Sequence, residues 1–367
     1  MQTNQYGTFE KNTMSEIFRN VTNHLKNKLP FVVYCKPNSG KTIAFFQKTN
    51  ALFSIDDNVS AGFAFVSFDN EQRYIIPENE SDIYFENNTN FDFFAQANTI
   101  DGAINSDEKY QFENLVTKGI DAIKRNELEK VVLSRKNEVT IDGFDLETIF
   151  KKLLFNYKAA FKSIFYHPKV GLWVGATPEQ LLKIEDGKLK TVSLAGTQVF
   201  DKNKEAIWQL KEIEEQKIVT DYLTSTLKNN GLDVKISSPY GFRAGSLVHL
   251  KTDVEAEIPI DFNITKLTNL LHPTPAVCGF PKEKANQFIV ENEQYKREFY
   301  CGFLGEWQKN FETYQENNSD LYVNLRCMQL KQNKAIIYVG CGITKDSITE
   351  KEFFETQNKM QTMMRIL

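Results

Sequence analysis

Acidic side chains at helical spacing are the first residues of this chain that could do chemistry. In the stretch KEIEEQKIVT, residues 211–220, helical winding puts Trp208, Glu212, Glu215, Val219 and Leu223 on one stripe. Two carboxylates thus interrupt an otherwise apolar face. An unpaired carboxylate is costly to bury, so they should face a cation, a ligand or each other. The C-terminal stretch repeats the pattern, with Glu352, Glu355, Lys359, Met363 and Ile366 on a second stripe. Two such helices face to face would line a pocket with carboxylate oxygens, the donors a hard cation such as Mg2+ prefers. Taken alone, the first stretch reads more readily as a solvated helix face.

The scaffold must bring together two helices far apart in sequence. Short β-branched or aromatic runs at 31–35, 62–68, 74–76 and 82–85 read as strands, separated by Asn, Asp, Pro and Gly. Phe112, Leu115, Val116, Ile120 and Ile123 keep helical spacing. KVVLSR (130–135) reads as a strand, 146–155 as a helix, and 163–166, 171–175 and 188–193 as strands, the last ending in LAGT (194–197). The acidic helix is expected over 204–228, strands near 234–237 and 247–256, and a helix around 265–271. A Pro/Gly-punctuated loop, HPTPAVCGFP (272–281), precedes a helix over 282–294. Strands at 321–330 and 335–339, a Gly-Cys-Gly turn at 340–342 and the second acidic helix complete the chain. Strands come in runs with helices between them, which favours an α+β fold with antiparallel sheets over a doubly wound one. No repeat or long linker divides the sequence, so 1–367 is read as a single domain, strand-rich over 1–110.

Bulk properties narrow the function classes. Of the 367 residues 41% are hydrophobic, including 29 Phe, enough for a substantial core. A net charge of −4, with both signs interspersed, argues against a nucleic-acid binder. The five cysteines, Cys35, Cys278, Cys301, Cys327 and Cys341, are odd in number and show no CxxC spacing, which suits a reducing compartment. The polar N-terminus is not that of a signal peptide, and no apolar run approaches the ~20 residues of a membrane span. A cytoplasmic protein with no membrane partner is expected.

One motif invites a phosphate-loop reading. YCKPNSGKT (34–42) ends in SGKT after a strand, but Cys35 stands where the first glycine of GxxxxGK[ST] belongs, and Pro37 removes a backbone donor. A surface turn between two strands fits better; nucleotide hydrolysis stays as the reading from another class.

Nine stretches together carry a resemblance: KVVLSR (130–135), ATPEQLL (176–182), LAGT (194–197), KEIEEQ (211–216), HPTPAVCGFP (272–281), REFYCGFLGEW (297–307), NLRC (324–327), YVGCGIT (338–344) and EFFETQNKM (352–360). Their order and spacing resemble the chorismate-utilising enzymes, which include isochorismate, salicylate, anthranilate and aminodeoxychorismate synthases. The resemblance runs from about residue 111 to the C-terminus. It implies a large antiparallel β-sandwich core flanked by helices, a Mg2+-dependent site, chorismate as substrate and a monomer. Lys130 before VVLSR, Ala195 in LAGT (where aminodeoxychorismate synthases carry a lysine) and HPTPAVCGFP make isochorismate synthases the nearest group, in menaquinone or siderophore synthesis; salicylate synthases are the alternative. No glutaminase-like extension is expected.

By that resemblance Lys130 is the general base and Glu179 the general acid of a reaction that adds water at C2 of the ring and expels the C4 hydroxyl. Water is a poor nucleophile and hydroxide a poor leaving group, so both groups are needed. Outside the resemblance Lys130 reads as a solvated strand-edge lysine and Glu179 as a helix N-terminal residue after Pro178. Glu215 and Glu355 are the implied direct Mg2+ ligands, supported by Glu212 and Glu352. Tyr300, Arg326, the Gly340 backbone and Lys359 match the positions that hold the substrate's other carboxylate, for which a guanidinium is well shaped. Gly196 and Thr197 are expected near the ring, Ala276 on the pocket wall, His249 as a polar contact, and His272 as structural. The family often reads KExxEH, and here Gln216 replaces the histidine.

Overall fold

Runs of Phe, Val, Ile and Tyr build two large antiparallel sheets that bury their facing sides against each other. The computed structural model describes residues 13–57, 59, 61–88, 105–199, 202, 206–244, 247–259 and 262–367, and only the backbone at 195, 197, 199, 211, 244 and 247. The first sheet runs, in spatial order, Gly279–Phe280, Lys130–Thr140, Lys334–Ile343, Cys327–Lys331, Gly171–Thr177, Phe161–His167, Phe31–Cys35, Lys41–Gln47 and Ser81–Asn87. The second runs Val234–Ile236, Leu247–Glu257, Lys188–Val199, Gln180–Glu185, Ser319–Val323, Phe303–Trp307, Gly62–Val66, Arg73–Pro77 and Phe53–Ser54, with Tyr240–Ala244 also on Leu247–Glu257. Helices α1 (Met14–Asn27), α2 (Ser106–Lys124), α3 (Leu146–Asn156), α4 (Leu210–Asn229), α5 (Ile264–Leu271), α6 (Lys282–Asn292) and α7 (Thr349–Met364) lie against these sheets.

Aromatic side chains fill the space between the sheets. The Phe65 ring lies 4.1 Å from that of Phe165 and 4.5 Å from that of Phe299, and Trp173 stacks on Tyr338. Each such ring stabilises the fold by about 1.5–3 kcal/mol through burial. A second apolar cluster covers the outer face of the first sheet, where Ile17 of α1, Phe150 of α3 and Met363 of α7 meet. The apolar halves of the two acidic stripes are buried as their spacing predicts, Val219 and Leu223 in the first cluster, Met363 and Ile366 in the second.

Two of the crossings between the sheets carry Glu179 and Arg326. Strand Gly171–Thr177 of the first sheet leads through Pro178 and Glu179 into Gln180–Glu185 of the second. Strand Ser319–Val323 of the second returns through 324–326 to Cys327–Lys331 of the first.

Several expectations are corrected. Residues 321–330 do not form one strand, because Arg326 sits in the left-handed region at φ 47° and breaks the pairing. Residues 340–342 are not a turn but continuous strand, with Gly340 opposite Ser134 and Gly342 opposite Val132. Glu179 starts no helix; it lies on the link between sheets. The acidic helix begins at Leu210, because the Glu212 carboxylate accepts the Gln209 backbone N–H at 2.6 Å and caps it there. Trp208 therefore precedes the helix, and positions 204 and 205 lie outside the described residues. The SGKT stretch is the expected hairpin turn: Tyr34 pairs with Ile43, and Lys41 Nζ donates to the Glu312 carbonyl at 3.2 Å. Lys41 itself opens a strand where a phosphate loop needs a helix, so no phosphate cradle forms.

Candidate active site

Strand Lys130–Thr140 carries Lys130 at its start, with the first six residues buried. The lysine is not a solvated edge residue: its side chain is wholly buried and borders a cavity between the sheets. Glu215 Oε1 of α4 approaches Lys130 Nζ at 2.9 Å. That approach is off the hydrogen-bond direction, and Nζ has no aligned acceptor among the described residues. Gly342 makes room for the contact, since a Cβ there would fall 2.1 Å from Glu215 Oε1 and 3.2 Å from Lys130 Cε.

Glu179 borders the same cavity, and its backbone is pinned on both sides. Its N–H donates to Thr177 Oγ1 at 3.3 Å, and its carbonyl accepts the Val323 N–H at 2.9 Å. Enclosure raises its carboxyl to about 7, against the opposing pull of Lys130, Arg326 and Lys359. Glu179 is thus poised to exist as the acid near neutrality.

Cationic and polar groups complete the wall. Arg326, Tyr300, Gly340 and Lys359 all border the cavity. The Lys359 ammonium bonds the Gly340 carbonyl at 2.9 Å and Glu355 Oε1 at 2.6 Å. The absent Gly340 side chain admits Tyr300, whose hydroxyl would lie 3.0 Å from a Cβ there. His249 Nδ1 lies 3.2 Å from the Gly196 carbonyl, to which it donates as the neutral ring. Burial first, then Arg326, holds its imidazole down to about 4. Gly196 takes φ 71°, and a Cβ there would meet Glu212 Cβ at 2.9 Å. Ala276 lies on the wall. Thr197 pairs with His249 through the backbone, and its side chain lies outside the described residues. His272 is structural: Nε2 bonds the Ser67 carbonyl at 3.2 Å, and burial lowers its imidazole to about 3.

The two acidic stripes converge as required. Glu212, Glu215 and Glu355 border the cavity, whereas Glu352 is buried away from it. Their oxygens suit a hard cation. Among the described residues no three His, Cys, Asp or Glu side chains converge tightly enough to hold a metal alone. One or two carboxylates completed by water and substrate oxygens is the usual Mg2+ arrangement, and that is what this donor set can offer. Gln216 points the other way, its Nε2 donating to Thr252 Oγ1 at 2.6 Å and Thr220 Oγ1 at 2.9 Å. It fixes how α4 sits on strand Leu247–Glu257 and does not face the cavity.

A chorismate binding enzyme family model matches residues 65–367. The chain belongs to that family. An Escherichia coli K12 isochorismate synthase is 30% identical over 271 residues, covering 71% of this chain and 67% of the relative. A Bacillus subtilis isochorismate synthase is 28% identical over 287 residues, 75% of this chain and 59% of that one. Among solved structures, the menaquinone-specific isochorismate synthase from Escherichia coli superposes with a TM-score of 0.75 at 18% identity, covering 97% of this chain and 100% of that chain. Both sheets and the helices around them are therefore the family fold, including the strand-rich first third.

Sequence reasoning missed Val132, Leu194, Leu325 and Gly342 on the wall. A signal existed for two of them. Residues two apart on a strand share a face, so Lys130 implies Val132 and Gly340 implies Gly342.

Proposed function

We propose that the protein is an isochorismate synthase, a Mg2+-dependent isomerase that adds water at C2 of chorismate and expels the C4 hydroxyl. One observation carries the reading: a wholly buried lysine amine, without an aligned acceptor among the described residues, shares a cavity with a carboxyl raised to about 7. Lys130 takes a proton from the attacking water as its oxygen bonds to C2. Glu179 gives its proton to the C4 oxygen, which leaves as water while the ring double bonds shift. Atoms balance, and the product is an isomer of the substrate.

The substrate is a dianion, and the wall has a partner for each carboxylate. Arg326 and Lys359, with Tyr300 and the Gly340 backbone, would receive one. Glu215 and Glu355 would hold Mg2+ at the other, with Glu212 beside them and Glu352 behind. Bound there, the ion would neutralise a substrate carboxylate beside the acidic helices. Gly196 and Ala276 leave space for the ring, Thr197 would serve its hydroxyl, and neutral His249 offers it a polar contact without adding charge. The product would enter menaquinone or catecholate siderophore synthesis.

The test is incubation of the purified protein with chorismate and Mg2+, with products resolved by chromatography. Isochorismate as the main product supports the reading. Salicylate and pyruvate at neutral pH would replace it with the lyase reaction. Chorismate binding without product would leave a binding protein.

A further inference from the structure

Directly behind the cavity wall lies a buried ion pair that the reaction scheme does not use. Arg297 and Glu293 have side chains only 2% and 1% exposed. Arg297 Nε donates to Glu293 Oε2 at 2.8 Å, and Nη2 to Oε1 at 2.5 Å. Two further donors of the guanidinium reach the backbone of two residues that line the cavity: Nη2 to the Val132 carbonyl at 2.6 Å and Nη1 to the Val277 carbonyl at 2.9 Å. The Arg297 carbonyl accepts the N–H of Tyr300, a third lining residue, at 2.9 Å. Glu293 extends the grip along the strand that begins with Lys130, its Oε1 accepting both the Ser134 N–H at 2.7 Å and the Ser134 hydroxyl at 2.8 Å. The Ser134 hydroxyl also meets Tyr295 OH at 2.7 Å.

A buried pair of this kind need not stabilise the fold, because desolvating two charges offsets most of their attraction. Its geometry suggests another use. The fork of one guanidinium spans two chain segments otherwise joined by the short antiparallel pairing of Gly279 and Phe280 with Val131 and Lys130 and by its flanking bonds, Val132 N–H to the Cys278 carbonyl at 2.8 Å and Glu129 N–H to the Phe280 carbonyl at 2.9 Å. The geometry points to Arg297 and Glu293 as positioning residues: together they set the separation of the Lys130 strand, the 272–281 loop and Tyr300, and so the placement of the base against the substrate. This rests on the isochorismate synthase reading for the reaction it serves, but not for the geometry it fixes.

Two variants test it. The double variant Arg297→Met with Glu293→Leu removes both charges at similar volume, and Arg297→Lys keeps the charge but loses the fork. Three measurements are made on each: kcat and KM per folded molecule, thermal midpoint, and hydrogen exchange. For the double variant, kcat is expected to fall tenfold or more while KM rises less than threefold, since Arg326 and Lys359 are untouched. Exchange should accelerate at Val132, Ser134 and Cys278 while distant strands keep their protection. Arg297→Lys should recover part of the loss. A kcat per folded molecule within twofold of wild type overturns the proposal, because a merely structural pair changes the folded fraction and not the turnover of what folds. If the double variant does not fold, Arg297→Lys decides alone: a threefold or greater loss of kcat supports the role, and unchanged kcat refutes it. If the wild-type protein makes no isochorismate, the functional reading fails. The positioning claim is then judged by local exchange in Arg297→Lys, and unchanged exchange at those three amides sinks it.

Discussion

Replacing Gly342 by alanine separates what this protein needs to fold from what it needs to act. The glycine lies on a continuous strand opposite Val132, with no left-handed backbone to protect. Its added methyl would fall 2.1 Å from Glu215 Oε1, where real Cβ contacts stay beyond 3.0 Å. The carboxylate must therefore retreat by about 0.9 Å, which a flexible glutamate tip can do at a rotamer cost of roughly 0.5–1.5 kcal/mol. Restricting the unfolded chain returns about 0.4–1 kcal/mol, so the thermal midpoint should stay within ~3 °C of wild type. The effect on the site is larger. Lengthening the 2.9 Å Lys130–Glu215 contact by that amount weakens it by roughly 1.4 kcal/mol at an effective dielectric of ~20. The methyl would also press on Lys130 at 3.2 Å, and a misplacement near 1 Å at a reacting group can cost about 100-fold. We expect kcat for chorismate to fall between about 10-fold and 100-fold, measured by product chromatography alongside thermal unfolding. Turnover within twofold of wild type would refute the view that Lys130 and Glu215 act as a set unit against a bare backbone. A large loss of stability would refute the claim that only the carboxylate must move.

Other outcomes follow from the same geometry. Lys130→Ala and Glu179→Gln should each reduce kcat by about 100-fold or more, the scale of acid–base contributions, with chorismate affinity by calorimetry nearly unchanged. The acid form of Glu179 is full well below pH 7 and is lost as pH rises through about 7, so kcat should decline on that limb and the Gln variant should not show it. The same raised carboxyl opposes folding once ionised, so Glu179→Gln should raise the thermal midpoint above pH 7 while lowering activity. Glu215→Ala and Glu355→Ala should raise the Mg2+ concentration needed for half-maximal rate, and calorimetry with Mg2+ alone should show weaker binding; near-normal kinetics in both would remove the ion-site claim. Lys41→Ala should leave chorismate turnover unchanged, and tight Mg-ATP binding lost in that variant would revive the nucleotide reading.

Local pattern was enough for much of this protein, because its information is short-range. Helical spacing placed Glu212 and Glu215 on the stripe that buries Val219 and Leu223, and Glu355 and Lys359 on the stripe that buries Met363 and Ile366. Burial of the apolar half of each stripe dictates where its polar half must point. Runs of strands with helices between them were enough for an α+β fold with antiparallel sheets, and the nine stretches pointed to the family and, through it, to the sandwich.

What needed the fold depends on contacts between distant segments. Leu321 and Leu330 look like one strand, yet Arg326 turns the chain from one sheet to the other, a choice imposed by the pairing of Cys327 with Gly175. Gly340 and Gly342 look like a turn, since local rules read glycine as backbone freedom. Their actual use is the space they leave, for Tyr300 in one case and for Glu215 in the other. Glu179 reads as an ordinary helix start until enclosure by two sheets raises its carboxyl to about 7. Arg297 and Glu293 are four residues apart on any reading, but only the packed chain shows the carbonyls of Val132 and Val277 at the ends of their reach. Spacing along the chain decides which side chains share a face; packing decides what that face meets and how far it is held from water.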